Sequence, residues 1–312
     1  MNIFLTGSEG FIGTHLKKRL IKEGHTVVGL DNLSHSCKHS MGGNVIYRDI
    51  LNINDCSLFI KQCDYIIHLA AQINVEYSIL NPSLTLATNT IGTLAVLEMA
   101  TKYNKPIIFA STTEIYGDKQ TEKMAEAHPT NPKSPYAASK LGADGLCKAF
   151  YHSYGTKVII VRNFNTFGKY QSDDAWGAVI AIFADRLNNN LPPIVFGDGT
   201  QRRDFMGYKD AIDFYMLLLN DKTGKHWGEE YNVGMGKSIS MNELAKKMIK
   251  IYGKENYIKL IHGKPRPGEV KDFVCDNTKA RKLGWNPNTD FDKLLKEYVE
   301  WKLENDNPKH NN

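Results

Sequence analysis

Tyr136 and Lys140 lie four residues apart in Ser134-Pro135-Tyr136-Ala137-Ala138-Ser139-Lys140. A proline at a first helical turn starts a helix, and residues four apart then project from the same face. A phenol is a poor base near neutral pH, its reference pKa being ~10, and a neighbouring ammonium favours the phenolate and lets Tyr136 accept a proton. Taken alone, the pair also fits an ordinary surface pair on an amphipathic helix. The remaining residues of a site decide between the two.

The amino terminus supplies the first of them. Asn2-Ile3-Phe4-Leu5-Thr6 is a short apolar run, and Phe11, Ile12, Leu16, Leu20 and Ile21 recur at helical spacing after it. Between them stands Gly7-Ser8-Glu9-Gly10-Phe11-Ile12-Gly13, whose glycines permit a sharp turn and close approach to a pyrophosphate at the helix amino end. A second strand, Thr26-Val27-Val28-Gly29-Leu30, ends in Asp31. A carboxylate there accepts bonds from ribose hydroxyls and repels a 2′-phosphate, which favours NAD over NADP. Without the glycine turn before it, Asp31-Asn32-Leu33-Ser34 would read as a polar turn.

A third strand, Val45-Ile46-Tyr47, delivers Asp49 to its carboxyl end, to bond an adenine amino group or to lie in a solvated loop. Tyr65-Ile66-Ile67-His68-Leu69 is a fourth strand, and Ala70-Ala71 after it leaves room for a cofactor. His68, flanked by apolar residues, reads as a core histidine. Pro82 to Tyr103 reads as one long helix with apolar positions to spare for a dimer. Pro106 to Ala110 forms a fifth strand, running into Ser111-Thr112-Thr113-Glu114-Ile115-Tyr116-Gly117, and Lys157 to Val161 a sixth. Six strands alternating with helices predict an α/β, doubly wound parallel sheet.

The second half is less regular: helices from Ala175 to Asn189, Asp210 to Leu219, Met241 to Tyr252 and Phe291 to Leu303, a strand entry at Pro192 to Gly197, and a polar tail from Glu304. It predicts a smaller mixed α/β substrate-binding lobe laid over the sheet. The expected division is 1–168 with 207–235 for the NAD-binding part, and 169–206 with 236–312 for the lobe.

With 39 basic and 34 acidic residues among 312, the charge of +5 is spread out. No basic stripe with interleaved aromatics points to nucleic acid. Five cysteines, Cys37, Cys56, Cys63, Cys147 and Cys275, lack metal-ligand spacing and suit a reducing cytoplasm. No signal peptide or membrane span is read, and no metal is expected.

In this order the motifs resemble the extended short-chain dehydrogenase/reductase family, the Rossmann-fold nucleotide-sugar epimerases, dehydratases and decarboxylases. The resemblance runs through Gly7/Gly10/Gly13, Asp31-Asn32, His68 to Gln72, Asn89, Ser111 to Gly117, Tyr136/Lys140, Phe164 to Gly168, Arg266 to Glu269 and Leu283-Gly284-Trp285. It implies NAD held by Gly7, Gly10, Phe11, Ile12, Gly13, Asp31 and Asn32, by Asp49 and Ile50, and by Leu69, Ala70, Ala71 and Asn89. Tyr136 would take the sugar 4-hydroxyl proton, Thr112 would bond the same oxygen, and Lys140 would hold the nicotinamide ribose and lower the phenol pKa. The nucleoside-diphosphate sugar would meet Thr113 and Asn165, with Arg203 and Arg266 as pyrophosphate clamps and Phe196 at the nucleobase. For the arginines a solvated surface role, and for Phe196 a core role, stay open.

Glu114 separates the family members. A 4-ketone acidifies the C5 hydrogen, and a base there begins elimination of the C6 hydroxyl. Thr112-Thr113-Glu114 resembles the Thr-x-Glu triplets of the dehydratases and UDP-glucuronate decarboxylases. It departs at Thr113 from the dehydratases' Thr-Ser-Glu or Thr-Asp-Glu, and since Thr113 can relay a proton but not supply one as an Asp would, a dehydratase here would resemble the Thr-Ser-Glu type. A 4,6-dehydratase is favoured, with 4-epimerisation and decarboxylation open; Arg162, Lys169, Arg202 or Arg203 could meet a uronate, and Glu114 could instead cap the following turn. Relatives pair the Pro82–Tyr103 and Ser134 helices into a four-helix bundle, so a homodimer is expected. A non-catalytic NAD- or sugar-nucleotide-binding protein is the reading of another class.

Overall fold

In the computed structural model, which describes residues 1–306 apart from 38, 41, 172–177, 222 and 267, short apolar runs become the strands of one parallel sheet. They are β1 (Asn2–Thr6), β2 (Thr26–Asp31), β3 (Val45–Tyr47), β4 (Tyr65–His68), β5 (Ile107–Thr112), β6 (Val158–Asn163) and a seventh strand, Glu230–Val233. From one edge the order is Glu230–Val233, β6, β5, β4, β1, β2, β3. Every neighbouring pair is parallel. Because helices cover both faces, the strands are apolar on both sides rather than alternating, as in fully buried Ile107, Ile108 and Phe109.

Leu5, Ile67, Ile108 and Val161 face a core completed by Leu16, Phe214 and Trp285. Phe4, Ile66, Phe109 and Ile160 face the other, with Ile53, Leu97 and Cys147. This is the expected doubly wound α/β arrangement, with one more strand than the six read from sequence. A third core, containing Phe183, Leu187, Leu244, Met248 and Tyr298, belongs to the smaller mixed α/β lobe. There helices Val179–Asn188, Met241–Ile251 and Phe291–Asp306 pack together beside the parallel strand pair Ile194–Phe196 and Ile261–Gly263.

The long helix expected from Pro82 to Tyr103 is interrupted. Helix Pro82–Leu86 passes through a π turn, Ala87–Ile91, into helix Gly92–Lys102. The wider turn carries Asn89, whose amide exchanges hydrogen bonds with the backbone of Gln72 (2.7 and 2.8 Å) and donates to Ser139 Oγ (2.9 Å). Insertions of this kind recur at functional sites. The start of the helix expected from Ala175, Pro267 of the Arg266–Glu269 loop, and residues 307–312 of the tail lie outside the described residues. Among those described, no helix is long and apolar enough to cross a membrane.

Strand order reverses between β1 and β4, and in open sheets ligands bind beyond the carboxyl ends at such a point. Gly7, Asp31, Thr112 and Asn163 stand at or just past those ends.

Candidate active site

A cleft of about 860 Å³ runs along the carboxyl edge of the sheet. At one end β1 turns through Gly7, whose φ of +68° favours glycine and whose Cβ would stand 2.7 Å from Ala70 N. At Gly13 a Cβ would stand 2.0 Å from the Gly7 carbonyl, so the helix Phe11–Lys22 seats its first turn directly on the loop. Gly10 differs, since its Cβ would meet only the Gly7 carbonyl, at 3.4 Å. The helix amino end thus opens to the cleft, as an approaching pyrophosphate requires.

Asp31 accepts from the backbone N–H groups of Glu9 (2.9 Å) and Leu33 (2.8 Å). A carboxylate has about four acceptor sites, so capacity for ribose hydroxyls remains. Asn32 donates to Asp49 at 2.8 Å, and Asp49 also accepts from Leu51 N. Phe11, Ile12, Ile50, Leu69, Ala70 and Ala71 complete this wall. The glycines, the open helix end and the acid on β2 together fit a dinucleotide. Asn89 lies behind the wall, its two amide hydrogens given to Gln72 and Ser139, and acts on the cleft by positioning the chain after β4. His68 is a core residue, bonded to Thr6 (2.7 Å) and Thr93 (3.0 Å), with burial pushing its pKa down to about 3.

One polar element of the turn was missed by sequence reasoning. Glu9 and Lys17 form a buried ion pair at 2.7 Å, and Lys17 Nζ and Glu9 also bond the carbonyl and N–H of Gly42. The pair ties Gly42 to the glycine turn. Glu9 lies in the turn before the helix and Lys17 within it, a pairing that sequence spacing does not announce.

Farther along, Ser134 caps the helix Pro135–Tyr154 by accepting from Ala137 N, with Pro135 in its first turn. This presents Tyr136 toward the end of β5, where Thr112 hydrogen-bonds its phenol. Burial pushes the Tyr136 pKa up to about 12, the Thr112 bond opposes the rise, and the nearby Glu114 charge adds to it. Lys140 donates to the Ala110 carbonyl at 2.6 Å and sits 4.4 Å from the Phe109 ring centroid. Burial lowers its pKa to about 8.

Thr113 and Glu114 begin a short 3-10 turn, Thr113–Tyr116, and both line the cleft. Burial raises the Glu114 pKa, the Arg203 guanidinium opposes that, and Glu269 reinforces it. The turn is capped by the Thr112 hydroxyl, which accepts from Glu114 N.

The opposite wall includes Phe196, Arg203 and Arg266 of the lobe, and Asn165, from the strand Asn165–Phe167, also lines the cleft. Arg266 lies 3.8 Å over the Phe196 ring and pairs with Glu76 at 2.8 Å. Arg203 approaches Glu269 at 3.7 Å. Phe196 is therefore a wall residue capped by a cation. Two other cations considered for a substrate carboxylate are engaged elsewhere. Arg162 is buried against Asp144 (2.8 Å), Tyr116 and the Glu126 carbonyl, and Arg202 bonds Ser238.

The model of the GDP-mannose 4,6 dehydratase family matches residues 4–298. The putative UDP-glucose 4-epimerase of Methanocaldococcus jannaschii is 37% identical over 311 residues, covering 97% of this chain and 99% of that protein. Among solved structures, the UDP-glucose 4-epimerase of Thermotoga maritima with UDP-glucose superposes with a TM-score of 0.91 at 31% identity, over 98% of this chain and 99% of the other. The dTDP-glucose 4,6-dehydratase of Streptomyces venezuelae, solved with NAD, gives 0.89 at 28% identity, over 98% of both. The family-model match over residues 4–298 and the 37% identity over nearly the whole of both chains make this chain a member of the extended short-chain dehydrogenase/reductase family of nucleotide-sugar dehydratases and epimerases.

Proposed function

We propose that the chain is an NAD-dependent nucleotide-sugar 4,6-dehydratase, and the observation that carries this reading is Glu114. A 4-epimerase has no need of a base at C5, yet here a carboxylate stands in the cleft beside the Thr112–Tyr136 pair. Burial makes that carboxylate more basic than usual, which suits proton abstraction.

Bound NAD supplies a reversible hydride acceptor and a positive charge, and because the hydride returns within the turnover no net redox change remains. The glycine turn holds its pyrophosphate, Asp31 and Asn32 its ribose, Asp49 and Ile50 its adenine, and Lys140 its nicotinamide ribose. Tyr136 accepts the sugar 4-hydroxyl proton while Thr112 bonds the same oxygen. Glu114 removes the C5 proton from the 4-ketone and passes it, with Thr113 only as a relay, to the C6 hydroxyl, which departs as water; with the hydride returned at C6, C5 regains one proton, equivalent to the one Tyr136 took from the 4-hydroxyl. Arg203 and Arg266 exchange their carboxylate partners for the diphosphate, a charge-assisted substitution. In this reading residues 1–168 with 207–235 hold the cofactor, and 169–206 with 236–312 the sugar nucleotide.

Epimerisation at C4 is the second reading, favoured by the names of the Methanocaldococcus jannaschii and Thermotoga maritima relatives. Incubation with a panel of UDP-, GDP-, CDP- and dTDP-sugars followed by mass spectrometry separates the two. The expected product is lighter by one water. A product of unchanged mass and inverted C4 would establish the epimerase, and loss of carbon dioxide from a uronate would establish a decarboxylase.

The active form is a homodimer. Helix Pro135–Tyr154 exposes small residues, Ala138, Gly142, Gly145 and Ala149, along one side. The neighbouring helices expose Leu80 (80%), Leu84 (49%) and Ile91 (53%). Small residues let a partner helix approach closely, and the leucines supply apolar area to cover. Light scattering at micromolar concentration is expected to give twice the chain mass; a single-chain mass would end the dimer proposal.

A further inference from the structure

Asn163 ends β6 and lines the cleft, though nothing in the motifs singles it out. Its Nδ2 donates to Tyr215 Oη at 2.9 Å and makes a longer contact with the Val161 carbonyl at 3.5 Å. A carbonyl can only accept, so Val161 fixes which end of the amide is nitrogen and leaves Oδ1 on the other side. That oxygen is buried and has no hydrogen-bond partner in the protein. Buried acceptors without partners are uncommon, and one on the wall of a binding cleft points to a ligand donor.

The place of Asn163 says which donor. In the sheet register it stands opposite Thr112, the residue bonded to the Tyr136 phenol. From Asp31 on β2 the cleft crosses β1, β4 and β5 to reach β6. Four strand spacings of about 4.8 Å each separate the two ends, ~19 Å in all. A dinucleotide with its adenosine at Asp31 and its pyrophosphate on the glycine turn therefore brings its nicotinamide to β5 and β6. That ring carries a carboxamide, whose N–H groups match a lone acceptor.

We propose that Asn163 Oδ1 accepts a hydrogen bond from the nicotinamide carboxamide and thereby fixes the rotation of the ring about its ribose. The proposal rests on the NAD reading above but on neither dehydration nor epimerisation. Asn163 is a positioning residue, held in turn by Tyr215, which is fully buried.

The test is equilibrium binding by calorimetry to the full chain of three ligands. These are NAD, 3-acetylpyridine adenine dinucleotide, whose methyl ketone has no N–H, and ADP-ribose, which lacks the ring. The wild-type chain is expected to prefer NAD over the acetylpyridine analogue by roughly three- to tenfold, the worth of one neutral hydrogen bond. In Asn163→Leu that preference disappears while ADP-ribose affinity stays within about twofold. Should the leucine variant not fold, Asn163→Ala, which removes volume instead of substituting it, carries the same comparison. A preference that survives in the variant, or an equal loss for all three ligands, would overturn the assignment. Failure of the wild-type chain to bind any of the three would instead overturn the cofactor reading itself.

Discussion

Four side chains divide the proposed chemistry, and their surroundings set them apart. Tyr136 is buried and Glu114 half-buried, and in each the loss of solvent favours the protonated form. Their coupling is one-directional in purpose: a charged Glu114 makes the phenol harder to ionise, so the phenol must be relieved by positive charge before it can act as base. Lys140, whose own pKa burial lowers to about 8, is the cation the proposed chemistry assigns to that task. Replacing Glu114 with Gln removes the C5 base and the negative charge beside Tyr136 while leaving Thr112, Tyr136 and Lys140 in place. Water loss is then expected to fall by about 100-fold or more, the usual worth of a positioned base. Oxidation at C4 should persist, seen as reduced nicotinamide absorbance that builds up on adding substrate. Tyr136→Phe should show neither. If Glu114→Gln released dehydrated product at the original rate, Glu114 would be a turn residue only.

At the scale of elements, the glycine turn and the helix behind it test how tightly the cofactor end is built. A Cβ at Gly13 would collide with the backbone of Gly7 and Ser8, which cannot swing aside as a side chain can. Gly13→Ala is expected to lower stability by about 1–3 kcal/mol, as overpacking does, and to weaken NAD binding with it. Gly10→Ala should leave the urea midpoint nearly unchanged, because its Cβ meets only one atom at ordinary contact distance, yet it should weaken NAD binding by entering the cleft. Equal stability losses in the two variants would contradict this account of the turn. What the sequence made legible follows the same division. The turn, Asp31 and the Ser134–Pro135 helix start are local patterns, set by residues a few positions apart. The π turn was not legible, because Asn89 leaves the helical register for Gln72 and Ser139, partners distant in sequence. The strand Glu230–Val233, longer than β3, carries no apolar run to mark it, since Glu230 and Asn232 interrupt it, and its partner, the edge of β6, is distant in sequence. Arg162, a candidate for the substrate by position after a strand, proved to pair with Asp144 on the helix behind the sheet. Burial decided that, and burial is not written in spacing.

Across the whole molecule, the proposed reacting groups come from the end of β5 and the helix Pro135–Tyr154, while the charges that act on Glu114 come from across the cleft. Tyr136 opens that helix and Glu114 follows β5, whereas Arg203 and Glu269 line the cleft and act on Glu114. Arg203 holds the Glu114 pKa down against burial, and Glu269 pushes the other way. A base works only when unprotonated, so its pKa appears as the acid limb of the rate profile. Taking away the Arg203 charge in Arg203→Gln leaves burial and Glu269 unopposed, which raises the Glu114 pKa. The acid limb of kcat/KM for dehydration, which reports the free enzyme before Arg203 turns to the diphosphate, should therefore move to higher pH. Arg266→Gln provides the contrast, since Arg266 is paired with Glu76 and is not among the charges acting on Glu114. It should raise KM through lost contact with the diphosphate and leave the limb where it was. A limb displaced to lower pH in Arg203→Gln, or displaced equally in both variants, would mean that the lobe binds the substrate without tuning the base.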